Sequence, residues 1–174
     1  MYTFRAASVS DLPAIYRLQN TPYREKVLTS PLTPYDEFLS VTSKKLERKE
    51  QHVFLLEMDG SLEGFVDFEK SNENWHPTFW SRWLNTLVYG CCEGAFRFLG
   101  FSKINWYVRK NNQRMHRICE RYNFRKTGEG SFCNITEGFD FIALGRLTFF
   151  ELTAAEYLER ADTIRQHSLP VIFR

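Results

Sequence analysis

Two carboxylates stand two positions apart in a stretch that is typical of a β-strand, and they are the first candidates for chemistry. Asp67 and Glu69 share one face of that strand with Phe65, because successive strand side chains point to opposite sides. A carboxylate can strip a proton from an ammonium group, directly or through water. His76 is an alternative base, since its pKa suits neutral pH. Glu69 is the first choice for the base, and a solvated strand face is the structural alternative.

A cluster of basic side chains is the second candidate. Seven basic residues lie between positions 109 and 126, against the single acid Glu120: Arg109, Lys110, Arg114, Arg117, Arg121, Arg125 and Lys126. After Asn112 the apolar residues recur at the spacing of one helix face: Met115, Ile118, Cys119 and Tyr122. The opposite side of this helix is therefore basic. It could meet phosphate groups, or it could be a solvated surface.

The periodicity of the chain predicts the elements that must position these residues. Strands are expected at residues 2–7, 52–58, 61–70, 103–108, 124–132 and 139–150. Helices are expected at residues 8–20, 33–49, 84–99, 112–122 and 153–167. The predicted order is β-α-α-β-β-α-β-α-β-β-α.

Local signals define several of these boundaries. Capping-box pairs are Ser8 with Asp11 and Thr153 with Glu156. Thr33 is predicted to cap the second helix, with Pro34 in its first turn. Asp59-Gly60 suits a tight hairpin in which both central residues have positive φ.

Composition narrows the function classes. The 174 residues are expected to form one domain, 1–174, in which residues 152–174 are a C-terminal helical extension. A net charge of +2 argues against bulk binding of nucleic acid. The four cysteines lack C-x-x-C spacing, so no metal site is predicted and a reduced compartment is favoured. With no signal peptide and no long apolar run, the chain is predicted to be cytoplasmic and to have no membrane partner.

The order of elements and one segment resemble the GNAT superfamily of acyl-CoA N-acyltransferases. Asn112 to Phe124 has the family spacing N-x-x-[small]-x-x-x-[Tyr]-x-x-x-Gly-Phe between two strands, with Met115 at the small position and Asn123 at the glycine. "HPTFW" and "NQRMHRICERYNF" are similar to the ribosomal-protein branch, which acetylates protein N-termini and small amines. The resemblance covers about residues 2–150. It implies an α/β fold with a mixed, mostly antiparallel sheet flanked by helices.

The resemblance also implies a donor and an acceptor. Acetyl-CoA would be the co-substrate, and the acceptor would be an amine-bearing small molecule or protein; a homodimer is left open. The pantetheine arm would lie between the strand before "HPTFW" and the strand "KINWYV", with the pyrophosphate on the N-terminus of the third helix. Cofactor contacts are then expected at Arg82, Trp83, Leu84, Asn85, Thr86, Val108, Asn112, Arg114 and Arg117. Asn112 would either cap the helix alone or also contact the cofactor.

The chain departs from the family pattern at three places. The loop before the third helix has no glycine, and Trp83 stands about where one is expected. Only twelve residues separate Gly64 from Pro77, so either "ENWHPTFW" is the fourth strand or that strand is missing. Cys119 occupies the position at which relatives carry the tyrosine that protonates the CoA thiolate. Cys119 is either that acid or a buried helix residue, and Tyr122, one turn further on, is the second candidate.

Three tryptophans, Trp75, Trp80 and Trp83, lie within nine residues. They are interpreted either as an aromatic wall of a pocket or as a plug that fills the sheet.

Two functions follow. The first is an N-acyltransferase that moves an acetyl group from acetyl-CoA to a primary amine. The second is a binding or structural protein with the same fold that has lost turnover, which the glycine-free loop and Cys119 favour.

Overall fold

The computed structural model describes residues 2–19, 33–71, 74–130 and 146–174. The helices of this part of the chain are α1 (Leu12–Gln19), α2 (Tyr35–Glu47), α3 (Leu84–Glu93), α4 (Gln113–Arg121) and α5 (Ala154–Gln166). The strands are β1 (Tyr2–Ala6), β2 (Gln51–Met58), β3 (Ser61–Ser71), β4 (Asn74–Ser81), β5 (Lys103–Arg109), β6 (Arg125–Gly130), β7 (Leu147–Thr153) and β8 (Val171–Phe173). A short 3₁₀ turn precedes α1, and a π-helical turn follows α3.

All these strands join one sheet in the order β6-β7-β5-β4-β3-β2-β1-β8. Neighbouring strands are antiparallel except for two pairs, β4 with β5 and β1 with β8. The expected fold class, a mixed and mostly antiparallel sheet flanked by helices, is therefore confirmed. The sheet is the frame that holds the candidate residues.

The two faces of the sheet are buried under different helices. Phe54 and Phe68 face a main core that contains α3, α4 and α5. Leu55 and Phe65 point to the other side and pack with α1 and α2. Because strand side chains alternate, the face of each candidate residue follows from its neighbours.

Signals that act over a few residues are confirmed. Asp59 and Gly60 have φ angles of 49° and 83°, as the tight hairpin requires. The Asn112 side chain accepts a hydrogen bond from Met115 N at 3.2 Å and so caps α4. Asn123, which replaces the family's glycine, has a φ of 51°, a conformation that asparagine tolerates better than most residues.

Other boundaries differ from the expectation. α2 begins at Tyr35 with Pro34 in the N-cap position, so the prediction of Thr33 as the cap is wrong by one residue. Since proline has a fixed φ, it suits the start of a helix without a side-chain cap. "ENWHPTFW" does supply the fourth strand, β4, and the strand next to β5 is therefore β4 itself and not the strand before "HPTFW". Of the strand predicted at 139–150, the part up to residue 145 lies outside the described residues; β7 begins at Leu147 and continues to Thr153.

The C-terminal segment adds a strand that was not predicted. After α5 the chain crosses the start of α3, where Leu169 N donates to Thr86 Oγ1 at 3.0 Å. It then pairs with β1 as β8, and Arg174 N donates to Phe4 O at 3.0 Å. The C-terminal segment therefore contacts the first turn of α3 at Thr86.

Candidate active site

The site begins at a split in the sheet between β4 and β5. β3 and β4 pair at eight positions and β5 and β7 at seven, but β4 and β5 pair at one, Trp75 opposite Ile104. The two strands are parallel, so they separate beyond this pair, towards Ser81 and Arg109. We call this unpaired part of the boundary between β4 and β5 the cleft.

Helix α3 starts at the mouth of this cleft. Its first internal hydrogen bond runs from Leu87 N to Trp83 O at 3.0 Å, so the N–H groups of Leu84, Asn85 and Thr86 lie in the first turn. Ser81 Oγ accepts a hydrogen bond from Trp83 N at 2.9 Å and tightens the turn before the helix. First-turn N–H groups and the helix dipole favour an anion.

The side chains of this turn already have partners inside the protein. Tyr122 donates its hydroxyl to Asn85 Oδ1 at 3.3 Å, and Thr86 binds the C-terminal segment as described above. Arg82 makes an ion pair with Glu63, with 2.9 Å between Nη2 and Oε2. Trp83 Nε1 donates to the same carboxylate oxygen at 3.2 Å. An internal carboxylate therefore lies beside the predicted phosphate-binding turn.

Sequence reasoning missed Glu63, although a signal for it exists. The β2–β3 register shifts between Leu56 and Glu57, which pair with Gly64 and Leu62, so Glu63 is the extra residue of a bulge. A Cβ on Gly64 would lie 2.5 Å from Ser81 Cβ, and only glycine permits this close approach. A glycine within a strand pattern is the signal that indicates such a bulge. The bulge turns Glu63 towards Arg82.

The two arginines of α4 that were predicted to bind the cofactor, Arg114 and Arg117, lie on different sides of the helix. Arg114 Nη2 donates to Arg82 O at 2.5 Å, so its guanidinium is next to the turn before α3. Arg117 lines a groove of about 470 Å³ between α4 and the strands β6 and β7, together with Lys126 and Phe150. Only Arg114 is therefore brought to the start of α3.

The remaining cofactor candidates are not gathered at the surface of the cleft. Val108 is buried in the main core on β5. Asn112 is exposed and caps α4. Their contacts with a cofactor stay predictions.

Cys119 is a residue of α4, and its side chain is fully buried on the inner side of the helix. Burial raises the pKa of its thiol to about 12, so the thiol keeps its proton at neutral pH. Trp106 Nε1 has no partner with hydrogen-bond geometry within the described ranges, yet it lies near enough to Cys119 to lower the pKa of that thiol slightly. Burial also raises the pKa of Tyr122, whose hydroxyl reaches the start of α3.

The opposite face of the sheet gathers the candidate bases. The β3–β4 register places Glu69 across from His76 and Asp67 across from Thr78. Glu69 is ion-paired with Lys45 of α2, and its side chain is 53% exposed. Burial raises the pKa of Tyr107 on β5, and Tyr107 lies close enough to Glu69 for that negative charge to raise the pKa further. The structure confirms that Asp67 and Glu69 share one face of β3, and their role as bases stays a prediction.

Asp67 has the more unusual environment. Its Oδ2 accepts a hydrogen bond from Gln51 Nε2 at 2.6 Å, across β2 and β3. Its Oδ1 and Gln51 Oε1 are both buried, and neither has a hydrogen-bond partner among the described residues. Burial raises the pKa of Asp67 to about 6; the nearby Glu69 charge adds to this, whereas Gln51 and Lys45 oppose it. Gln51 had no role in the sequence prediction.

The three tryptophans form neither the predicted wall nor one plug. Trp75 stacks on Phe101 beside the main core, with 4.5 Å between ring centroids. Trp80 stacks on Phe65 on the other face of the sheet. Trp83 lies at the start of α3 against Tyr2. Their closeness in sequence is lost because the first two alternate along β4 and the third lies beyond its end.

Comparison with known proteins identifies the fold. No family model and no curated protein matches this sequence. A chimera of the spermidine N-acetyltransferase SpeG from Vibrio cholerae and hSSAT superposes with a TM-score of 0.74 at 19% identity, covering 91% of this chain and 99% of that chain. Spermidine/spermine N-acetyltransferase SpeG from Vibrio cholerae in complex with manganese ions gives 0.71 at 20%, covering 91% and 96%. A mutant form of that SpeG gives 0.71 at 18%, covering 92% and 99%.

These matches define a class of fold. The chain has the GNAT acyltransferase fold. The specific ribosomal-protein branch is not confirmed, since these solved structures are spermidine acetyltransferases.

Two further observations concern metal binding and membrane-spanning helices. Among the described residues no group of three or more His, Cys, Asp or Glu side chains could hold a metal ion. No helix in the same part of the chain is long and apolar enough to cross a membrane.

Proposed function

We propose that the chain is an N-acetyltransferase that moves an acetyl group from acetyl-CoA to a primary amine of a small molecule or protein. The observation that carries this proposal is the split between β4 and β5, with the N-terminus of α3 at its mouth. A parallel pair that separates after one contact leaves backbone groups of both strands free for an extended arm. The N-terminus of α3 beside the split offers backbone N–H groups that can bind a diphosphate.

The residues present fit acetyl-CoA, although not tightly. The N–H groups of residues 84–86 and the guanidinium of Arg114 would hold the diphosphate, and Arg82 would join them after leaving Glu63. Because Glu63 already neutralises Arg82, the net gain on binding is small. We expect a Kd of tens of micromolar or weaker, roughly 6 kcal/mol.

Acetyl-CoA supplies an activated acetyl thioester, and the chain must supply position and proton transfer. Of the two predicted proton donors, Tyr122 is the better placed, because its hydroxyl reaches the first turn of α3. The thiol of Cys119 is instead fully buried in the core. A proton acceptor would come from the opposite face of the sheet, which holds Asp67, Glu69 and His76. Glu69 was the first choice from sequence, but its ion pair with Lys45 lowers its availability.

The second candidate function is that of a binding or structural protein with the same fold that has lost turnover. The contacts of Glu63 with Arg82 and Trp83 favour this second candidate, because an internal anion there competes with the cofactor's diphosphate. Both candidates share the fold and differ in whether an acetyl group is transferred.

Calorimetry and thermal unfolding with acetyl-CoA separate the two candidates. A binding heat together with a rise in Tm supports the enzyme, since a ligand of the native state stabilises it by mass action. Mass spectrometry of a panel of primary amines and amino-terminal peptides then identifies the acetylated acceptor. No heat and no shift at millimolar acetyl-CoA would remove the enzyme proposal.

A further inference from the structure

A buried polar pair on the face away from α3 lacks part of its hydrogen bonding. Gln51 is 7% exposed and uses its amide N–H to bind Asp67. The other oxygen of each side chain is buried and has no hydrogen-bond partner in the part of the chain that the structure describes. Buried acceptors without donors cost folding free energy, so a native protein that keeps two of them side by side calls for a physical reason.

The missing chemistry at this pair is a hydrogen-bond donor. Gln51 Oε1 and Asp67 Oδ1 both accept, and Asp67 adds a negative charge when ionised. Turning the Gln51 amide would not satisfy the pair, because its oxygen would then face the Asp67 carboxylate. An alkylammonium group carries three N–H donors and one positive charge. It matches both unpaired oxygens and the charge.

The position of the pair suits an acceptor that approaches the cleft. Asp67 lies across from Thr78 on β4, and β4 forms one wall of the cleft. Its side chain points to the face that bears Glu69 and His76, opposite the face under α3 and α4. Acetyl-CoA held at α3 and an amine held at Asp67 would therefore approach β4 from opposite faces of the sheet.

From this geometry we propose that Gln51 and Asp67 form the subsite for the acceptor's primary ammonium group, and that Asp67 takes its proton. This proposal rests on the acetyltransferase function proposed above. Gln51 is then a positioning residue, because it holds the carboxylate through one oxygen and leaves the other for the amine.

The proton transfer balances without another reagent. The Asp67 carboxylate accepts one proton from the ammonium, and the freed lone pair attacks the thioester carbonyl carbon. The C–N bond forms as the C–S bond breaks. The second amine proton passes to the departing CoA thiolate, and Asp67 returns its proton to solvent. The products are the N-acetylated amine, CoA thiol and one proton.

The charged groups around Asp67 are compatible with this role. Glu69 on the same strand raises the pKa of Asp67, and Lys45 from α2 lowers it. His76 from β4 and Tyr107 from β5 lie beside Glu69 on the same face. With a pKa of about 6, Asp67 is ionised at pH 7 to 8, and it is a stronger base than an ordinary aspartate.

The first test reads the subsite without turnover. In the full chain, the ¹³C signal of the Asp67 carboxyl carbon is followed against pH, with and without n-butylamine as the probe. The inference expects a pKa near 6 without the probe, falling by about one unit when butylammonium binds, because an adjacent cation favours the carboxylate. An unchanged titration at saturating probe would overturn it. This result stands even if the chain transfers no acetyl group.

The second test compares three isosteric variants in acetyl transfer. Asp67→Asn should lose roughly 10²-fold in kcat/KM, with unchanged affinity for CoA. Asp162→Asn, an exposed position on α5, is the matched control and should equal the parent. If Glu69→Gln loses that activity while Asp67→Asn keeps it, Glu69 is the base and the inference is wrong. A parent chain that neither binds CoA nor acetylates any amine would defeat the proposed function, and the titration alone would then decide the subsite.

Discussion

Replacing Glu63 with glutamine should strengthen the binding of CoA. Glu63 accepts from Arg82 Nε at 3.0 Å and from Trp83 Nε1 at 3.2 Å, beside the first turn of α3. A diphosphate at that turn would be repelled by the carboxylate and would also have to draw Arg82 away from it. Glutamine keeps the shape and removes the charge, so both costs fall.

The magnitude follows from exposure and distance. The Arg82 side chain is 66% exposed, so its ion pair is screened, and breaking it costs about 0.5 kcal/mol. Repulsion between the carboxylate and one phosphate charge about 8 Å away, at an effective dielectric of about 40, is about 1 kcal/mol. The sum, about 1.5 kcal/mol, corresponds to roughly tenfold tighter binding of CoA to Glu63→Gln.

Calorimetry with three ligands tests this reasoning. CoA and dephospho-CoA both carry the diphosphate and should gain affinity about equally, whereas pantetheine should gain none. The gain should shrink as salt rises, since exposed charges are screened. Glu159→Gln, on the exposed side of α5, is the control for a simple change in net charge. Equal affinities of parent and variant for CoA at low salt, or an equal gain for pantetheine, would refute the electrostatic account.

Three further predictions concern CoA affinity and the free energy of unfolding. Arg114→Ala should weaken CoA roughly fivefold in calorimetry, and Arg117→Ala should not, because only Arg114 reaches the turn before α3; the reverse order would contradict the geometry. Cys119→Ala should cost about 1 kcal/mol of unfolding free energy in urea, since the side chain is fully buried; a neutral result would indicate looser packing. The pKa of Asp67 is raised to about 6 on folding, so its contribution to stability is full below the unfolded pKa of about 4 and is lost as pH rises through 6. Asp67→Asn should therefore raise the unfolding free energy by up to about 3 kcal/mol at pH 8 and much less at pH 4, which urea unfolding at the two pH values checks.

The sequence predicts the elements whose signals are local. The Asp59-Gly60 hairpin, the Asn112 cap and the Thr153 cap depend on residues one to three positions apart, and all three are confirmed. β8 has three residues and no alternation to detect, and it exists because β1 offers it an edge. The single contact between β4 and β5 depends on residues 29 positions apart, Trp75 and Ile104, which no local pattern connects.

The candidate bases show the same limit. Period-two alternation correctly placed Asp67 and Glu69 on one face, because it needs only the strand itself. Choosing between them needs their partners, Gln51 from β2 and Lys45 from α2. The ion pair of Glu69 and the burial of Asp67 therefore could not be seen in the order of residues.

The glycine-free turn before α3 has a physical explanation in the burial of that helix. Most of α3 is buried, including Leu84 and Thr86 in its first turn, and the partial positive charge at the helix start favours an anion beside it. Glu63 supplies a permanent negative charge there, held by Arg82 and Trp83. A glycine in place of Trp83 would remove one of the two groups that hold the carboxylate. On the proposed function, cofactor binding is then the exchange of an internal anion for a diphosphate, and a weak affinity follows from this exchange.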